Sequence, residues 1–196
     1  AKIYGIDLGL WKGCGLAEYQ KRSKEHFGCI YSDRVQLFQG DVMDDSFLSE
    51  VLRVIGGPGS LDIIIDDGAH TPWHSITTFI KLFQMALKPG GLYSIEDIET
   101  NYWSDGGELY SNYIRTGRGS NKSIIEMFKG AIDAVNRHFF DKNFSAFHRD
   151  SEHAIGSLHF AHNVIVAKRR TGDSPFEDKT YRFSDYVRDY RRQKNS

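Results

Sequence analysis

Cysteine is scarce in this sequence, with only Cys14 and Cys29 among 196 residues. Neither belongs to a CxxC pair, which argues against a disulfide framework and a thiolate zinc site and sets the expectation of a reducing, cytoplasmic setting. An excess of charge of either sign is also missing, since 25 Lys and Arg face 26 Asp and Glu. That balance removes any chain-wide pull toward nucleic acid or an anionic membrane, although the stretch from Arg182 to Lys194 is locally basic. No apolar run nears the roughly 18 residues that a membrane span needs. The first residues hold neither the charged nor the apolar block of a secretory signal. Internal repeats, low-complexity blocks and a clean GxGxxG loop are lacking too, and the last absence disfavours a dinucleotide enzyme.

What is present is 40% hydrophobic residues, enough for one substantial core and a chain too short to expect two. One domain is expected over 1–175, with a basic tail over 176–196. Ile3 to Leu8 reads as a buried strand entering a stretch that holds Gly9, Gly13 and Gly15, and Val35 to Phe38 as another that closes on Gly40-Asp41. Phe47, Leu48, Val51, Leu52 and Ile55 recur at helical spacing until Gly56-Gly57-Pro58-Gly59 stops them. A strand, Leu61 to Ile65, comes next. Thr71-Pro72 has the form of an N-cap with proline at the first position, and Ile76, Phe79, Ile80, Phe83 and Leu87 continue that helix. Lys88-Pro89-Gly90-Gly91 ends it before a strand from Leu92 to Ile95. The Gly-, Ser-, Asn- and Tyr-rich stretch from Asn101 to Asn121 is expected to be a surface loop, followed by a helix from Ser123 to Phe140. Ala154 to Phe160 and Asn163 to Ala167 suggest a closing antiparallel pair. The order predicts an α/β fold with a mainly parallel sheet covered on both faces.

Two of these strands end in acids. Ile63-Ile64-Ile65 leads into Asp66-Asp67-Gly68-Ala69-His70, and Tyr93-Ser94-Ile95 into Glu96-Asp97. In open α/β sheets ligands bind beyond the carboxyl ends of the strands, so acids at two such ends suggest one shared site. Asp67, Glu96 and Asp97 are the oxygen ligands a hard cation such as magnesium takes, with water and substrate filling its other positions. His70 is a candidate general base beside it, since imidazole titrates near neutral pH. The alternative for each acid is a helix cap or a solvated turn residue. His70 and His74 also stand four apart as zinc ligands can, but without the intervening glutamate of HExxH.

The runs IDDGAH at 65–70, LKPGGLY at 87–93, IED at 95–97 and Tyr102-Trp103 resemble the class I S-adenosylmethionine-dependent methyltransferases that O-methylate sugar hydroxyls of macrolides and other glycosylated natural products with the help of magnesium. The resemblance implies a Rossmann-like sheet, S-adenosylmethionine and Mg2+ as cofactors, and a small-molecule hydroxyl acceptor. It makes Asp67, Glu96 and Asp97 the metal ligands and His70 the catalytic base. It assigns Asp7 to the cofactor ribose and Asp41 to the adenine edge; Asp66 is expected to orient nearby backbone or the cofactor amine. In that family an earlier strand ends in a glycine-rich loop that holds the methionine part of the cofactor. With 34 positions from Asp7 to Asp41, these two acids suit the second and third strands, so the chain is expected to be N-terminally truncated. A stretched loop over Asp7-Leu8-Gly9 and Gly13-Cys14-Gly15 is the other reading. The alternatives in function are a catechol-type O-methyltransferase and a non-catalytic remnant or binding module. A homo-oligomer is left open.

Overall fold

The computed structural model describes residues 1–9, 21, 34–105, 116–135 and 154–171. They group into two compact units, Ala1–Gly57 and Pro58–Ser196. Cys14, Cys29, Gly13, Gly15, Tyr110, Tyr113, the expected end of the helix beyond Val135 and the basic tail lie outside the described residues.

In the first unit, β1 (Ile3–Asp7) and β2 (Val35–Gln39) pair in parallel, with Ile3 opposite Val35 and Asp7 opposite Gln39. The helix α1 (Asp45–Ile55) begins where Asp44 accepts hydrogen bonds from the Ser46 and Phe47 amides, at 2.8 and 3.3 Å. Those bonds satisfy two of the donors that a helix start leaves bare. The predicted stop is where it should be. Gly56 sits in the left-handed region at φ 114°, which a residue with a Cβ adopts only at a cost. Leu48, Val51, Leu52 and Ile55 form the buried stripe of α1, and the Phe47 ring covers Gly40 so closely that a Cβ there would lie 2.5 Å from it.

The second unit is a four-stranded sheet in the order β3 (Leu61–Asp66), β4 (Leu87–Glu96), β6 (Val164–Arg169), β5 (Ile155–Ala161). The β3–β4 pair is parallel, and the other two pairs are antiparallel, as expected of the chain's end. The Lys-Pro-Gly-Gly run does not simply precede β4. It is bulged into it, because Leu61 pairs with Leu87 whereas Ile63 pairs with Leu92. Gly90 supplies φ 80° there, and a Cβ on Gly91 would lie 2.8 Å from the Asp62 carbonyl oxygen. Lys88 pairs with Asp62 across the same bulge.

Two helices, α2 (Pro72–Met85) and α3 (Ile124–Val135), pack on one face of this sheet. Phe79 is the junction: its ring stacks on Phe83 at 4.6 Å and meets the edges of Phe128 at 4.7 Å and Tyr93 at 5.1 Å. All four rings are almost wholly buried. The expected cover on both faces differs from what the described residues provide. Ile63 and Ile65, on the opposite face of β3 from buried Ile64, are 60% and 63% exposed. Their apolar character reads as burial in the sequence, but periodicity does not say which element supplies the cover. Thr71 differs too. It starts α2 as an extended N-cap residue, yet its hydroxyl lies 2.5 Å from His74 Nδ1 and makes no cap hydrogen bond. No helix among the described residues is long and apolar enough to cross a membrane.

Phe79→Ala leaves a cavity bounded by three aromatic rings and two helices, and should lower the unfolding free energy by about 3 to 5 kcal/mol in urea denaturation; a loss under about 1 kcal/mol would mean that the aromatic cluster does not hold the sheet to its helices.

Candidate metal centre

Parallel pairing carries the ends of β3 and β4 to one edge, since Asp66 lies opposite Ile95. Asp67 follows β3 in the loop to α2, and Asp97 follows β4 at its turn into the 3-10 helix η1 (Ile98–Tyr102). His70 stands between them. Its Nε2 lies 3.0 Å from Asp67 Oδ1 and its Nδ1 lies 3.6 Å from Asp97 Oδ2. One ligand atom from each of Asp67, His70 and Asp97 falls within 4.8 Å of the others. Two carboxylates and an imidazole at that spacing are a donor set that suits a divalent cation, and the oxygen donors suit magnesium. Glu96, exposed at the end of β4, stands outside this group.

The backbone is bent to make the arrangement. His70 and Asp97 adopt φ values of 50° and 51°, and Asn163, in the two-residue turn between β5 and β6, adopts 60°. Left-handed backbone costs roughly 1 to 2 kcal/mol for a residue with a Cβ, so each must be held. Thr100, buried in η1, donates its hydroxyl to the His70 carbonyl at 2.5 Å. Asn163 Nδ2 donates to Asp97 Oδ1 at 2.9 Å, while its Oδ1 accepts from the Glu99 amide at 2.9 Å. Buried Asn101 donates to the Ile98 carbonyl at 3.0 Å and accepts from the Ile124 amide at the start of α3 at 2.9 Å. Thr100, Asn101 and Asn163 were not among the expected site residues. Asn between two strands is a turn signal, but nothing local points it at Asp97.

Asp66 has hydrogen-bond partners of its own. Its carboxylate accepts from the buried Tyr93 hydroxyl at 3.1 Å and from the Gly68 amide. Burial pushes its pKa up from 3.8 to about 6, against the Tyr93 and Gly68 hydrogen bonds and the His70 charge, which act to lower it. Burial, and the facing Asp66 carboxylate after it, also raise the Tyr93 hydroxyl well above its usual value. In the first unit, Asp7 is the last residue of β1 and Asp41 follows β2, and both are exposed. Each uses one oxygen on a local turn: Asp7 Oδ1 accepts from the Gly9 amide and Asp41 Oδ1 from the Met43 amide, both at 2.8 Å.

No protein-family model matches the chain. A mycinamicin VI 2''-O-methyltransferase of Micromonospora griseorubida is 34% identical over 174 residues, which are 88% of this chain and 37% of that protein. An 8-demethyl-8-alpha-L-rhamnosyl tetracenomycin-C 2'-O-methyltransferase of Streptomyces olivaceus is 31% identical over 137 residues, 70% of this chain and 33% of that protein. The chain is a homologue of macrolide and polyketide sugar O-methyltransferases. It has the α/β fold of MycE methyltransferase from the mycinamycin biosynthetic pathway, whose structure in complex with Mg and SAH superposes with a TM-score of 0.62 at 25% identity, over 96% of this chain and 51% of that one. The chain thus spans about a third of the length of these curated relatives.

The pH behaviour of Asp66 provides a check on this geometry. Between 3.8 and about 6 the folded chain holds a proton that the unfolded chain has lost, so unfolding free energy falls as pH rises through that window. The fall is about 3 kcal/mol at most, from roughly 1.4 kcal/mol per unit. Asp66→Asn should remove this part of the pH dependence in urea denaturation at pH 4 to 7 with chelator present; an unaltered slope would place the titrating group elsewhere.

Proposed function

We propose that the protein carrying this chain is an S-adenosylmethionine-dependent O-methyltransferase that uses magnesium to methylate a sugar hydroxyl of a glycosylated small molecule. The observation that carries this reading is the meeting of Asp67, His70 and Asp97 at the carboxyl edge of β3 and β4 in a homologue of sugar O-methyltransferases. Support for the cofactors comes from the bound Mg and SAH of MycE.

Asp67 and Asp97 hold the metal in this proposal, with Glu96 at the same strand end as the third carboxylate. When bound, magnesium lowers the pKa of a coordinated hydroxyl, and S-adenosylmethionine supplies the methyl group. His70 would take the hydroxyl proton on a ring nitrogen, and S-adenosylhomocysteine would leave with the electron pair of the broken methyl–sulfur bond. Magnesium prefers oxygen to nitrogen, which favours His70 as base over His70 as ligand. Asp7 and Asp41 accept hydrogen bonds from the cofactor ribose and adenine. Asp66 braces the Gly68 amide and so shapes the loop that carries Asp67 and His70. Tyr102, the last residue of η1, and Trp103 after it are exposed and offer ring faces to a sugar.

In the full-length protein, Asp67→Ala or Asp97→Ala should abolish magnesium-dependent methyl transfer to a glycoside acceptor, and chelation should do the same to the parent. Unchanged activity in both variants would sink the metal assignment. His70→Gln separates base from ligand: turnover should fall about 10²- to 10⁴-fold with Mn2+ affinity retained, whereas a matching loss of Mn2+ affinity would make His70 a ligand.

A further inference from the structure

The β5–β6 turn reaches the site. Antiparallel pairing sets Val164 opposite Glu96, so the residue before Val164 falls beside the residue after Glu96. Those two are Asn163 and Asp97. We propose that Asn163 is a positioning residue for the metal site, acting through Asp97; this rests on the metal assignment above.

The geometry restricts what Asn163 can be doing. Its Nδ2 donates to Asp97 Oδ1, which leaves Asp97 Oδ2 as the oxygen that faces His70 Nδ1. Its Oδ1 is engaged by the Glu99 amide, two residues past Asp97, so the amide group is fixed at both ends and cannot flip without losing both bonds. One side chain therefore holds the Asp97 carboxylate and the first turn of η1 in a single orientation. A ligand carboxylate needs such an outer partner, because an unconstrained one spends much of its time turned away from the cation. The left-handed φ of 60° is what lets Asn163 reach back toward η1, and asparagine tolerates that conformation better than most residues with a Cβ.

The test is Mn2+ affinity of the full-length protein, read by electron paramagnetic resonance of the free ion without acceptor. Asn163→Gly keeps the left-handed turn accessible and removes both side-chain bonds. His162→Gly loosens the same exposed turn and leaves them in place. Asn163→Gly should weaken Mn2+ binding about 10- to 100-fold in a protein that still unfolds cooperatively, while His162→Gly stays within about twofold. Parental affinity in Asn163→Gly, or an equal loss in His162→Gly, overturns the positioning role. If Asp97→Ala abolishes binding while Asn163→Gly leaves it intact, the positioning role alone fails. A parent that binds no Mn2+ overturns the metal assignment and the positioning role together.

Discussion

The hydrogen bond from Thr100 Oγ1 to the His70 carbonyl is the constraint on which the candidate site depends. His70 sits at a positive φ that its own side chain does not favour, and without a partner its carbonyl would be free to turn the loop back to ordinary backbone. Thr100 can act there because η1 is itself pinned from two further sides, by Asn101 to the start of α3 and by the Glu99 amide to Asn163. A single turn of 3-10 helix thus fastens the loop after β3, the hairpin between β5 and β6, and the helix α3. Short 3-10 turns hold poorly on their own hydrogen bonds. This one is kept by its side-chain partners.

The site is held against its own preferences. Three residues with side chains, His70, Asp97 and Asn163, share left-handed backbone within one cluster of contacts. The adjacent Asp66 is buried enough to raise its pKa to about 6. Each of these costs stability, and the aromatic core offsets the cost. Phe79, Phe83, Phe128 and Tyr93 bury large apolar surfaces between α2, α3 and the sheet. Tyr93 belongs to both systems, since its ring packs on Phe79 while its hydroxyl meets Asp66. The core therefore reaches the acidic strand end through one side chain.

The two acids of the first unit obey simpler rules. Asp7 ends one strand of the parallel pair and Asp41 follows the other, and each closes a local turn with one oxygen. They need no strain and no long-range brace, as befits groups whose proposed partners are hydroxyl and amine donors rather than a cation with a demanding geometry.

Much of this was legible in the sequence. The strands end within a few residues of their expected limits because apolar runs bounded by glycine and acid are local signals. The stop of α1 was legible for the same reason: Gly56 follows the last apolar residue and takes the left-handed cap. Asp67, Glu96, Asp97 and His70 could be named as a candidate set from two strand ends alone, because parallel strands bring their carboxyl ends to one edge; of these, Asp67, His70 and Asp97 are the three that group together. The bulge that absorbs Lys88 to Gly91 into β4 and the exposed face at Ile63 and Ile65 were not legible. Nor were Thr100 and Asn163, whose partners lie 30 and 66 residues away. Sequence by itself determined which chemical groups stand at the strand ends, because strand and turn propensities act over a few residues. Only the tertiary structure decided which of them meet and what holds them, because that depends on strand register, which a local pattern does not contain.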